Sequence, residues 1–151
     1  MSYSIKQNLL HLCHQFIEER INNCQSAIDT ANNSINEETK SSAGDKYETS
    51  REMMTQEIKN NSSQLAEAIK QKQMLSQISI DKKLETIQVG SLVTTNHEKF
   101  FIAISAGSLK LNNETYLAIS PSSPLGRNLI DKKKGDSVSF NNKLYSILEV
   151  Y

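Results

Sequence analysis

The sequence predicts an α+β chain. An antiparallel two-helix coiled-coil hairpin over residues 1–80 comes first, and a small, mostly antiparallel β domain with one short helix over residues 85–151 comes second. Three observations predict it. Before Val89 the chain contains one glycine, Gly44, and no proline, whereas the other glycines and both prolines lie after it. Helix breakers are therefore excluded from the first half and concentrated in the second. The first half carries apolar residues at helical spacing, and the second half alternates them at strand spacing between turn residues.

The first helix is expected over about Ile5 to Thr39. Ile21, Ile28 and Ile35 recur every seven residues, interleaved by Leu10, Ile17, Cys24 and Ala31. This is a heptad seam, interrupted at its start by Gln7 and His14. From Tyr47 onward a second stripe runs through Met54, Ile58, Leu65, Ile69 and Leu75. Neither stripe can leave water alone, so the two helices pack as an antiparallel hairpin that bends near Gly44. Met53 and Met54 are expected to pack near that bend. Cys13 and Cys24 fall on the same helix, roughly 16 Å apart, too far for a disulfide with each other.

In the second half, "QVGSLVTT" and "KFFIAIS" read as strands flanking "NHE". "TYLAIS" comes after the turn "NNE", and "DSVSF" and "KLYSILEVY" flank "NN", where Asn tolerates the positive φ of a tight hairpin. "PLGRNLI" is a short helix opened by Pro124, a residue suited to a first turn. Phe100, Phe101, Tyr116 and Tyr145 are the expected sheet core.

Composition bounds the function. There are 17 basic and 17 acidic residues, so no basic surplus exists for coating nucleic acid, and direct DNA binding is not expected. Hydrophobic residues are 37% and aromatics 6%, which suits a compact part joined to an extended one rather than a single large core. The N-terminal apolar runs are no longer than two residues, so neither a signal peptide nor a membrane span is expected, and the cytoplasm is the expected compartment. No P-loop, dinucleotide fingerprint, zinc spacing or nucleophilic triad is present. His11, His14 and His97 read as surface or seam residues. Lys132, Lys133 and Lys134 form a basic run, either a solvated loop or a contact for an acidic surface.

The stretch from Ser123 to Phe140, "SPLGRNLIDKKKGDSVSF", resembles the C-terminal domain of the Gre transcript cleavage factors. The matching residues are Ser123, Pro124, Leu125, Gly126, Arg127, Leu129, Ile130, Lys132, Gly135 and Asp136. "VGSLVTT" is similar to the opening strand of that domain, and the order of parts and the N-terminal hairpin extend the resemblance over essentially the whole chain. It implies an FKBP-like C-terminal domain that docks on the core of bacterial RNA polymerase, through Ser123, Pro124, Leu125, Arg127, Lys132, Gly135 and Asp136. The coiled coil then enters the secondary channel. Acids at its tip help the polymerase hold a second magnesium ion and cleave the 3′ end of backtracked RNA. Asp45 and Glu48, after Gly44, match the family's acidic tip.

The resemblance further implies a monomeric factor that is not itself an enzyme. Such a factor has no cofactor of its own, shares Mg²⁺ with the polymerase active site, and meets the nascent RNA 3′ end only through the polymerase. Locally, Asp45 and Glu48 also read as a helix cap with a capping-box partner three residues on. The tip departs from the family at Lys46, Tyr47 and Thr49, which leaves open a channel-occupying inhibitor without cleavage activity. Two other classes remain: a peptidyl-prolyl isomerase, against which the few aromatics argue, and a plain coiled-coil adaptor.

Overall fold

The computed structural model describes residues 2–40 and 44–151, without the side chains of residues 2, 38–40 and 44–49. Two long helices come first, α1 (Ser2–Lys40, 39 residues) and α2 (Gly44–Ser76, 33 residues). After them come β1 (Leu92–Thr95), β2 (Lys99–Ile102), β3 (Gly107–Leu111), β4 (Glu114–Ile119), α3 (Pro124–Leu129), β5 (Ser137–Phe140) and β6 (Lys143–Val150). The chain is thus of the α+β class. None of the described helices is long and apolar enough to cross a membrane.

Two compact units are formed: Ile17–Lys72, and Met1–Phe16 together with Gln73–Tyr151. Each long helix therefore serves both, and the change from helix to strand in the sequence is not where one unit ends and the next begins. In the helical unit α1 and α2 run antiparallel. Glu18 near its start on α1 pairs with Lys72 at its end on α2, 2.5 Å apart and half exposed, a contact worth little by itself.

The buried stripe of α1 differs from the expected seam. Lys6, Leu9, Cys13, Ile17, Cys24 and Ala31 are buried, while Leu10, Ile21, Ile28 and Ile35 are only half-buried. At about 100° per residue the six buried positions fall on one face, and the isoleucine series flanks it. The buried face mixes large side chains, Leu9 and Ile17, with small ones, Cys24 and Ala31. On α2 Ala68 is fully buried, whereas Ile69 is 42% exposed. Near the start of α2, Met54 is half-buried but Met53 is 69% exposed.

The six strands form one sheet in the order β3-β4-β2-β1-β6-β5. All neighbours are antiparallel except β2 and β4, which run parallel with Lys99 opposite Tyr116 and Ile102 opposite Ile119. β3 was not expected from the sequence. It is an edge strand with one buried residue, Leu109, and too little alternation to announce itself. The turns that precede β4 and β6 are Asn pairs with positive φ throughout: Asn112 (53°), Asn113 (66°), Asn141 (50°) and Asn142 (62°). This is the conformation that a tight hairpin requires and that Asn adopts at low cost.

Both faces of the sheet are covered. On one, Val93, Phe100, Ile102, Tyr145, Ile147 and Val150 pack with Ile87, Val138 and Leu129 of α3. On the other, Leu92, Phe101, Tyr116 and Ala118 are buried, and Ile5 of α1 lines a cavity with Leu92, Thr94 and Tyr116. Lys6, only 2% exposed, sits beside that contact in sequence, and burial pushes its ammonium pKa below the ordinary lysine value.

The hairpin seam makes a discriminating prediction. Ala68→Leu forces a larger side chain into a fully buried position of α2 and should cost about 1–3 kcal/mol. Ile69→Gln, on the exposed side, should stay within about 0.5 kcal/mol of the parent. Denaturant melts monitored by helix circular dichroism distinguish the two. Equal losses would mean that the packing centre lies at Ile69.

Candidate functional site

Two places carry candidate residues. The first is the start of α2. Gly44 opens this helix, so Asp45 and Glu48 belong to its first two turns, but their side chains lie outside the described residues. Among the described residues, no group of three or more His, Cys, Asp or Glu side chains is arranged to hold a metal ion.

The second place is the run from Ser120 to Asp136, described throughout. Ser123 is the N-cap of α3, with φ −66° and ψ 159°. Its Oγ accepts from the Gly126 backbone N–H at 3.0 Å and donates to the Ser120 carbonyl at 2.7 Å. One hydroxyl thereby satisfies an orphan amide of the helix and holds the preceding turn. Pro124 occupies the first helical position, where its missing N–H is not needed. Gly126 is packed so closely that a Cβ there would collide with the Ser120 carbonyl oxygen. Leu129 is fully buried in the core, with Leu125 and Ile130 packed partly buried against it.

After α3, the backbone amide of Ile87 donates to the Lys132 carbonyl at 2.8 Å and that of Asp131 to the Ile87 carbonyl at 2.9 Å. Asp136 closes the lysine loop: its carboxylate accepts from the Lys133 amide at 2.9 Å and its own amide donates to the Lys133 carbonyl at 3.0 Å. Gly135 has φ +95° and donates to the Ile147 carbonyl at 2.9 Å, a conformation that favours glycine. Lys134 forms a 2.6 Å ion pair with Glu149. The hydrogen bond between them raises the lysine pKa and lowers that of the carboxylate.

The run thus divides. Ser123, Pro124, Leu125, Gly126, Leu129, Gly135 and Asp136 each have a structural task in the turn, the helix or the core. Arg127, Lys132 and Lys133 have exposed side chains. Of the lysine run, Lys134 is engaged within the domain and Lys132 and Lys133 are presented to solvent.

Arg127 borders a groove of 540 Å³ lined also by Gln88, Val89, Pro121 and Ile130. Gln88 and Val89 were missed as site residues in the sequence because they precede α3 by some 35 positions and carry no motif. The only signal was an apolar residue just before Gly90, at the mouth of a strand. The groove has no aromatic lining residue, unlike the pocket expected of a prolyl isomerase. His97 is exposed; its Nε2 lies 3.1 Å from the Leu144 carbonyl and its ring meets Tyr145 edge-on at 5.2 Å, a packing role on the sheet.

Among solved structures, the chain is similar to one described as "Structure of the transcription factor Gfh1". The likeness covers 91% of this chain and 92% of that one, at 18% identity and a TM-score of 0.37. At that score it carries no weight for activity, partner or residue roles. No protein-family model and no curated protein matches the chain.

The division between scaffold and exposed residues is measurable. Ser123→Ala should cost about 1 kcal/mol through the lost cap. Gly126→Ala should cost more, because the obstructing atom is a backbone oxygen rather than a yielding side chain. Arg127→Ala should leave stability within about 0.5 kcal/mol. Thermal melts of the three variants check the order, and a Gly126→Ala protein as stable as the parent would overturn it.

Proposed function

We propose that this protein is a Gre-like transcription elongation factor. It docks on the core of bacterial RNA polymerase through its β domain and carries the start of α2 into the secondary channel, where it stimulates cleavage of backtracked RNA. The observation that carries this reading is the run from Ser123 to Asp136. Its family-matching residues build one capped helix and one clamped loop, and Arg127 and Lys132 remain exposed beside them. A 33-residue helix, about 50 Å long by its rise, begins with Gly44 and Asp45 on the same chain.

In this reading the β domain supplies affinity and the hairpin supplies reach. Two carboxylates are too few to hold Mg²⁺ alone, since that ion prefers six oxygen ligands. They suffice to complete a site the polymerase has half built. There a second metal ion activates water and stabilises the charge that develops on the phosphate. The protein would then be a monomeric cytoplasmic factor, not an enzyme by itself, and the metal would be shared with the polymerase. A second reading rests on Lys46, beside Asp45, and Thr49, beside Glu48. A cation next to the acids offsets the charge that would attract the metal, which suits a factor that occupies the channel without promoting cleavage.

Asp45→Asn with Glu48→Gln separates these readings, because Asn and Gln preserve capping and remove the charges. A stalled, backtracked complex should release cleaved RNA faster with the parent protein, and the double variant should lose that stimulation by orders of magnitude while binding persists. Binding without stimulation by either protein would support the inhibitor. Full stimulation by the double variant would reduce the acids to a helix cap.

A further inference from the structure

The sheet face that Ile5 of α1 meets holds a cavity of 440 Å³, within the roughly 300–1,000 Å³ usual for a small-molecule pocket. Its apolar lining is Ile5, Leu92 and the rings of Tyr116 and Tyr151, and its polar groups are those of Thr94, Lys99 and Glu114. All belong to one compact unit. Tyr151 is fixed beside Leu92 by two backbone hydrogen bonds, of 3.1 and 2.9 Å. The Lys99 ammonium donates to Glu114 Oε2 at 2.5 Å, and the Tyr116 hydroxyl donates to the same oxygen at 3.0 Å. Glu114 Oε1 and the Thr94 hydroxyl make no hydrogen bond among the described residues, and Lys99 has N–H groups beyond the one it donates to Glu114. The bonds from Lys99 and Tyr116 hold the Glu114 carboxyl below the ordinary glutamate value, so it is charged at neutral pH. A half-exposed ion pair contributes little to stability by itself, so both charges can turn to a ligand at small cost.

We propose that this cavity binds a free α-amino acid with an aliphatic side chain, its ammonium on Glu114 and its carboxylate on Lys99. The inference stands apart from the polymerase reading. A simple anion would meet the Glu114 carboxylate, and a simple cation the Lys99 ammonium, as a like charge. A zwitterion, whose two charges flank a single carbon, meets both groups with the opposite sign. The Thr94 hydroxyl supplies a further polar contact, and the aliphatic side chain replaces water against Ile5 and Leu92. A nucleobase is disfavoured because it needs an open ring to stack on. Tyr116 is only 3% exposed, with the Lys99 ammonium 5.7 Å from its ring centroid, and the Lys83 ammonium stands 5.6 Å from that of Tyr151. The bound amino acid touches the first turns of α1 and the sheet together.

The test titrates the full chain with L-leucine by calorimetry, in parallel with leucinamide, 4-methylpentanoate, glycine and guanosine. L-Leucine should bind saturably with a Kd on the order of 1 mM, the weak affinity that half-exposed charges allow. Leucinamide lacks the carboxylate, 4-methylpentanoate lacks the ammonium and glycine lacks the side chain, so each should bind about tenfold more weakly or worse. Glu114→Gln and Lys99→Gln should each weaken leucine binding by about tenfold, whereas Lys110→Gln on β3 should not change it. No saturable binding of leucine by the parent would overturn the site. Leucinamide or 4-methylpentanoate binding as tightly as leucine would overturn recognition of a zwitterion, and glycine doing so would overturn the apolar contact. Tighter binding of guanosine would overturn the aliphatic ligand. Undiminished leucine binding by the Glu114 and Lys99 variants would place the amino acid elsewhere. The ligand series on the parent decides the matter even where a variant fails to fold.

Discussion

The backbone clasp between Ile87 and the residues after α3 is the constraint on which the β domain depends. Two hydrogen bonds, Ile87 to Lys132 and Asp131 to Ile87, tie the chain arriving from α2 to the chain leaving α3. Ile87 is fully buried in the core that they close, together with Leu129 of α3 and Ile147 of β6. Together with the Gln88 amide bond to Ser91 Oγ and the Gly90 amide bond to the Ile102 carbonyl, it fixes the path of the chain on which Gln88 and Val89 stand beside Arg127. Asp131 adopts a φ of +69° there, a conformation that Asp tolerates better than most residues.

From that anchor the rest of the candidate docking region is built by short steps. Ser123 and Gly126 press α3 against the turn at Ser120, which leaves Leu129 no direction but inward and Arg127 none but outward. Gly135 and Asp136 then shape the lysine loop so that its backbone serves β6, while among the described residues only one of its three ammonium groups is held in an ion pair. A motif that looks uniform in sequence is therefore mostly scaffold. Arg127, Lys132 and Lys133 are the side chains it presents to solvent outside that scaffold.

The helices show the same separation of tasks in another form. Of the seam read from the sequence, Ile17, Cys24 and Ala31 are buried, whereas Leu10, Ile21, Ile28 and Ile35 are only half-buried. Ile69 illustrates the consequence: it is apolar and nearly in register, but one position from Ala68 turns a helix by about 100° and leaves it in water.

By itself the sequence determined the element types apart from β3, the Asn hairpin turns and the start of α3. Each of these is decided within a few residues: by the absence of breakers, by Asn pairs that accept positive φ, by a proline whose ring suits a first helical turn. It also marked Asp45 and Glu48 as candidates, which lie outside the described side chains. Only the tertiary structure decided the parallel pairing of β2 with β4, the recruitment of β3 as an edge, the burial of Lys6 and the meeting of Val89 with Arg127. Those features depend on which distant segments exclude water together, and no local pattern of residues records the identity of a partner dozens of positions away.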